Sequence, residues 1–521
     1  MLMAAGHSLA DDLRSTAARH GDRPAVIDAV VTLTYAELDR IAQHVCDALR
    51  GLGVQSGDAV VWHGAKSSLA VAAVHGILRS GAGYVPVDPD GPPARAELIV
   101  GRCRPRALVA DTTAREQWRT VAPDLRWQPL PTGYEEAGPL WCAIPDAAPR
   151  DRLANLAYVL HTSGSTGLPK GVVHTHASAS AFVDWSVGEL GLTEHDVIVN
   201  SAPLHFDPTI LHLFGAARVG AAVALMPASA APFPAAYVDF CRQVGGTVWY
   251  AVTSTLVWLT RRGRDLLPGL RSLRAAVVGG EVLQPGDVNT LFAALPAVRL
   301  LNVYGPTESN VCTFHEIRGP QPADAVIPIG RVLPGAEITV VDERLEQVEP
   351  GRTGRLLVRG TMLMEGYLDP EQTARAFVRT PDGRSWYASG DLVRENPAGD
   401  LEFVGREDAQ IKSRGFRVEL GEIERHLRAL DAVHECVAVA TPDPVFSNLI
   451  TAFVTADRPD DVRPLPELLR TRLPHYMIPR HLVLVADGLP RNANGKVDRK
   501  ALAELAARPS LAETPGLTLI R

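Results

Sequence analysis

Between Thr34 and Leu52, the apolar residues Leu38, Ile41, Val45 and Leu49 fall three and four positions apart, and Gly51 and Gly53 follow. That spacing predicts an amphipathic helix with glycine stops. The run Ala59 to Trp62 reads as the next strand. The alternation then recurs, with helices over Ala72 to Leu78, Val238 to Val244 and Val288 to Leu295, and strands over Tyr84 to Val87, Val248 to Val252 and Leu300 to Val303. Repeated helix and strand units predict an α/β layered architecture with substantial parallel sheet.

After Gly354 the texture changes. Short β-like runs, Leu356 to Val358 and Leu401 to Val404, are separated by turn-rich pieces such as Asp382-Gly383 and Pro397-Ala398-Gly399, which predicts a smaller β subdomain. From Asp408 a last unit is expected. It has helices over Gly421 to Leu430 and Pro466 to Leu473, and strands near Cys436 to Ala440, Ile450 to Val454 and Leu482 to Val485. Its roughly 110 residues are enough to fold alone. The expected fold is therefore α/β, α+β overall. A large N-terminal domain, 1–407, carries layered αβ sheets and the β subdomain, and a small α+β C-terminal domain spans 408–521.

With 521 residues, 46% of them hydrophobic, the chain can bury a large core. Lys plus Arg number 52 against 59 Asp plus Glu, a net charge of -7, which excludes a globally basic scaffold for nucleic acid or anionic membrane. The longest apolar stretch, Leu213 to Met226, is interrupted by Arg218 and falls short of the ~20 residues a bilayer span requires. No basic-then-apolar leader precedes Asp11 and Asp12, and the six cysteines form no C-x-x-C pair. A soluble, cytoplasmic protein is expected.

The richest chemistry lies in Thr162-Ser163-Gly164-Ser165-Thr166-Gly167-Leu168-Pro169-Lys170-Gly171, between the apolar runs Leu156 to Leu160 and Val172-Val173. Glycines let backbone N–H groups approach phosphate oxygens, hydroxyls add donors and an ammonium offsets charge, so a polyphosphate suits the loop. The pattern is not G-x-x-x-x-G-K-[ST], which disfavours a P-loop NTPase.

Nine further blocks occur in order around it: Leu33 to Leu38 (LTYAEL), Gly81 to Asp88 (GAGYVPVD), Phe206-Asp207, Asn302 to Glu308 (NVYGPTE), Gly366 to Leu368 (GYL), Tyr387 to Leu392 (YASGDL), Gly405 to Glu424 (GREDAQIKSRGFRVELGEIE), Tyr476 to Pro479 (YMIP) and Asn494 to Arg499 (NGKVDR). From about Leu33 to Arg499 the chain thereby resembles the adenylate-forming superfamily, specifically the amino-acid adenylation domains of nonribosomal peptide synthesis.

That resemblance implies ATP and Mg²⁺ as cofactors and assigns roles. Lys496 would bridge carboxylate and α-phosphate oxygens as the catalytic lysine. Glu308 would hold Mg²⁺, with Thr166, and Tyr304 would stack on adenine while Asn302 presents its amide to the base edge. Asp391 would take the ribose hydroxyls with Arg406 nearby, although Ala388-Ser389 departs from the usual arginine-threonine pair. Thr162, Ser163, Gly164, Ser165, Thr166, Gly167, Lys170, Gly280, Gly305 and Thr307 complete the implied nucleotide set. Asp408 matches a hinge about which the C-terminal domain would swing between adenylation and thioester formation. Ser413, where an aliphatic residue is common, is a mild departure.

In the implied substrate pocket Asp207 would face the α-ammonium of an amino acid, a strong selector because an unpaired buried charge costs several kcal/mol. Phe206, Pro208, Leu211, Tyr250, Val277, Gly279, Val303, Val311 and Cys312 would complete the lining. It contains no second charge, so a small apolar side chain is expected. The lining, with the run Asn310 to Thr313, resembles that of freestanding prolyl adenylation enzymes. L-Proline is the first expectation, with L-alanine, glycine, serine or valine as alternatives, because one methylene in an apolar pocket is worth only ~1–3 kcal/mol. Only 25 of the 521 residues follow Lys496 and no G-G-x-S attachment motif is present, so the expected acceptor is the phosphopantetheine arm of a separate holo carrier protein. An acyl-CoA ligase and a silent nucleotide- or carrier-binding scaffold are the competing readings. A metal hydrolase is disfavoured by the absence of H-E-x-x-H.

Overall fold

The computed structural model describes residues 8–134, 138–164, 168–408, 410–443, 447–486, 488–491, 497–508, 511 and 516–520. It is a mixed α/β chain of two compact units. The larger takes in the chain up to Pro89, Ile99–His161 and Gly171–Glu407. The smaller takes in Asp90–Leu98, Thr162–Lys170 and the chain from Asp408 onward.

In the larger unit the first amphipathic pattern becomes the helix Tyr35–Gly51. Thr34 and Glu37 form a reciprocal cap at its start, and Leu38, Ile41, Val45 and Leu49 make its buried face. It packs on Ser68–Ser80, a helix buried along its whole length. At Gly76 a Cβ would lie 2.6 Å from the Val45 Cβ, so only glycine lets the two helices approach this closely.

Two large sheets follow from the helix and strand alternation. One has nine strands, among them Val197–Asn200, Val248–Val252, Ala275–Gly279 and Arg299–Tyr304, which run parallel in that order across the sheet. The other has eight, with Ala59–His63 parallel to both Gly83–Val87 and Ala107–Ala110. A five-stranded antiparallel sheet containing Gly354–Gly360, Ser385–Glu395 and Leu401–Arg406 forms where the turn-rich texture begins.

The smaller unit holds a four-stranded sheet of Glu435–Asp443, Ser447–Thr455, His481–Val485 and Leu517–Ile520. The helices Leu420–Arg428 and Leu465–Arg470 close a core around Ile423, Leu427, Ala452 and Leu469. The strands Gln410–Ser413 and Phe416–Glu419 meet in a hairpin whose turn puts Arg414 at φ 55° and Gly415 at φ 81°, the geometry that suits the right-handed twist of paired strands. The apolar stretch after Leu213 is divided by a left-handed Gly220 into a short helix and the strand Ala222–Leu225. No helix among the described residues is long and apolar enough to cross a membrane.

Candidate active site

Strand alternation distributes the site within the larger unit. Along Arg299–Tyr304, Leu301 and Val303 face an apolar cavity. Asn302 and Tyr304 lie on the other side of the strand, where Tyr304 packs against the cluster of Cys312, Leu356 and Val393.

On that second side Asp391 is nearly buried and takes two donors, the Tyr304 hydroxyl on one oxygen and an Arg406 guanidinium nitrogen on the other. Asp391 and Arg406 are direct cross-strand partners, so the pair is set by the register of the hairpin. Ser389, the departure noted above, has a local role. Its hydroxyl donates to the Leu356 carbonyl at 2.8 Å and accepts the Asp391 N–H at 3.1 Å. Burial, followed by the Asp391 charge, pushes the Tyr304 phenol well above its usual pKa and keeps it protonated as a donor. The Asn302 side-chain amide donates to the Pro328 carbonyl at 2.7 Å, so its nitrogen is engaged by the protein itself.

The turn after Tyr304 carries the next group. At Gly305 a Cβ would meet the Asn310 carbonyl oxygen at 2.5 Å, which requires glycine where the turn closes on itself. Glu308 is fully buried, and its Oε1 accepts the Tyr367 hydroxyl at 2.6 Å. The neighbouring Thr307 hydroxyl donates to Asp207 Oδ2 at 2.8 Å. Burial, with a smaller contribution from the Asp207 charge, raises the pKa of Tyr250.

The cavity is lined by Leu211, Tyr250, Val277, Val303 and Val311 among the expected residues. Its other wall is the helix His176–Leu190, which contributes Phe182, Trp185, Ser186 and Leu190. Sequence reasoning missed that wall. The residues lie three and four apart, a legible helix face, but nothing in the spacing says which cavity they line.

Phe206, Asp207, Pro208, Gly279 and Cys312 do not line this cavity. Pro208 is buried at the start of a short helical turn, and the Phe206 ring meets His205 edge-on. Gly279 pairs with Val303, where a Cβ would lie 2.5 Å from the Val303 carbonyl oxygen. Cys312 packs with Ile329, Leu356 and Val358 in the adjacent cluster. Gly280 adopts φ 91° with open space where a side chain would stand.

In the smaller unit Ser163 Oγ donates to the Arg417 carbonyl at 2.8 Å, and a Cβ at Gly164 would collide with the Leu168 carbonyl oxygen at 2.1 Å. Thr162 ends the strand Leu156–Thr162 and Lys170 begins Lys170–Thr175, so the loop joins two strands. The side chain of Asp408 accepts the Gln410 N–H at 3.2 Å. Ser165, Thr166, Gly167 and Lys496 lie outside the described residues.

The model of the family described as AMP-binding enzyme matches residues 13–368, and that of the AMP-binding enzyme C-terminal domain matches 422–496. Over 505 residues the chain is 37% identical to an L-proline--[L-prolyl-carrier protein] ligase of Pseudomonas fluorescens, covering 93% of this chain and 97% of that one. It is 33% identical to tyrocidine synthase 2 of Brevibacillus parabrevis over 98% of this chain, while spanning only 14% of that much longer protein. Among solved structures, holo-PA1221, an NRPS protein containing adenylation and PCP domains, superposes with a TM-score of 0.79 at 26% identity. The match covers 95% of this chain and 84% of that one.

Proposed function

The chain belongs to the AMP-binding enzyme family, and from that premise we propose that it activates a small apolar α-amino acid, L-proline first, and passes it to a carrier protein. In the first step a substrate carboxylate oxygen attacks the α-phosphorus of ATP. A new O–P bond forms and the bond to pyrophosphate breaks, leaving an aminoacyl-adenylate. In the second, the thiol of a phosphopantetheine arm gives up its proton and attacks the acyl carbon, the C–S bond forms, and the acyl–phosphate C–O bond breaks as AMP leaves with the electron pair.

The observation that carries the reading is a carboxylate, Asp207, held by the Thr307 hydroxyl, together with an apolar cavity walled by Tyr250, Val277 and Val303. An α-ammonium answers that charge, and a small hydrocarbon ring or methyl group answers the apolar wall. The near full-length similarity to a prolyl-carrier protein ligase supports proline over its alternatives.

Asp391, oriented by Tyr304 and Arg406, presents acceptor oxygens suited to a ribose diol. Glu308, a buried carboxylate with one oxygen on Tyr367, is a hard donor that fits Mg²⁺. Bound there, Mg²⁺ would supply positive charge against the phosphates. Lys496 would neutralise charge where carboxylate and α-phosphate meet, and Asp408 would serve as the hinge between the two steps.

The test is amino-acid-dependent ATP–pyrophosphate exchange across the proteinogenic amino acids and several aryl and fatty acids, with Mg²⁺ and without CoA or carrier. A dominant proline signal, abolished by Lys496→Ala, is expected. Exchange only with acids lacking an amine would overturn the role of Asp207, and another small amino acid would displace proline alone.

A further inference from the structure

His174 lies on the strand Lys170–Thr175 and is fully buried, yet both ring nitrogens are bonded. Nε2 lies 2.9 Å from the Thr307 carbonyl oxygen and Nδ1 lies 3.0 Å from Ser178 Oγ. A carbonyl only accepts, so Nε2 carries the proton, and Nδ1 accepts from the serine hydroxyl. The ring plane is fixed by stacking on Tyr158 at 4.9 Å between centroids. Tyr158 in turn donates its hydroxyl to Asn310 Oδ1 at 3.2 Å. Two stacked rings on neighbouring strands thus pin both ends of one turn, Thr307 at the start and Asn310, at φ 54°, at the finish.

A histidine satisfied in this way is ordinarily a core residue with no further duty. Its acceptor is what gives this one a duty: the Thr307 carbonyl belongs to the peptide between the hydroxyl that holds Asp207 and the carboxylate that Tyr367 holds. We propose that His174 is a positioning residue for this site, its Nε2–H fixing through one carbonyl both the Thr307 hydroxyl on Asp207 and the Glu308 side chain on Tyr367. The inference rests on the amino-acid-activating reading above. It extends that reading to a residue that touches neither substrate nor metal.

Glutamine places an amide N–H where Nε2 stands, whereas asparagine reaches only the Nδ1 position. In ATP–pyrophosphate exchange, His174→Val is expected to raise the amino-acid KM about tenfold and the Mg²⁺ concentration for half-maximal rate several-fold, with kcat changed less. His174→Gln is expected to return both to within about threefold of wild type, and His174→Asn is not. If the valine variant does not fold, the glutamine and asparagine pair decides. Unchanged KM and Mg²⁺ dependence in folded His174→Val, equal rescue by asparagine, or losses that follow only the fall in Tm would overturn the inference while leaving the site reading intact. A wild-type enzyme without amino-acid-dependent exchange would overturn both.

Discussion

The two faces of the strand Arg299–Tyr304 solve opposite problems. On the Tyr304 side the Asp391 carboxylate is held by an arginine and a phenol, with a serine capping its backbone N–H. On the Val303 side, Leu301 and Val303 join Val277, Val311 and Phe182 in the lining of the apolar cavity. A charge-assisted cluster is directional, so its geometry is fixed before any ligand arrives and loses much when one partner is removed. An apolar wall is non-directional, and it discriminates by volume. The first is suited to an invariant ligand part and the second to a part that can change.

The sharpest way to break that contrast is Asp391→Asn, which keeps shape and removes charge. We expect kcat/KM for ATP to fall about 100-fold, ~3 kcal/mol, with amino-acid preference unaltered. A shifted preference would mean the two faces are coupled. Asp207→Ala comes next: if Asp207 faces the substrate ammonium as proposed, the amino-acid KM should rise about 30-fold, ~2 kcal/mol. An unchanged KM would move the ammonium site elsewhere. Val277→Phe fills the cavity without touching charge. It should raise the amino-acid KM about tenfold and spare the ATP KM, and a matching loss for ATP would show that the cavity is not separable.

The smallest effect comes from acid. His212 is fully buried, its Nε2 on the Tyr250 carbonyl at 3.1 Å, and burial lowers its pKa to about 3. Its folded pKa lies below the unfolded value, so the unfolded chain binds more protons as pH falls, and the stability present above about pH 6.5 is progressively lost. Between pH 7 and pH 6 this histidine should cost less than about 1 kcal/mol. Thermal melts at the two pH values read it in wild type against His212→Asn, and a variant with the same pH slope would mean this imidazole is not neutral in the fold.

The pairing of Asp391 with Arg406 was legible in advance because Asp391 sits inside YASGDL and Arg406 inside GREDAQIKSRGFRVELGEIE, whereas the Tyr304 hydroxyl on Asp391 was not, since Tyr304 was expected only to stack on a base. The cavity was half legible. Strand alternation along Arg299–Tyr304 gives the face of Val303 once Tyr304 is placed, but Cys312 was assigned to the lining and instead joins the cluster of Ile329 and Leu356. A position after a turn has no period from which to read its direction. Phe182, Trp185 and His174 carried no motif at all. Each is an ordinary apolar or aromatic position until a neighbour about 130 residues away is known, as with His174 and Thr307 at a separation of 133.

By itself, the sequence determined the alternation of helices and strands, the β texture after Gly354 and the blocks that mark an AMP-binding enzyme, because propensity, periodicity and motif are local properties of the chain. Only the tertiary structure decided that Phe182 and Trp185 close the cavity, that Cys312 turns away from it and that His174 reaches the Thr307 carbonyl. Those contacts depend on the order of strands within two sheets and on which helix covers them. That order is chosen by the packing of the whole core, and no window of the sequence contains it.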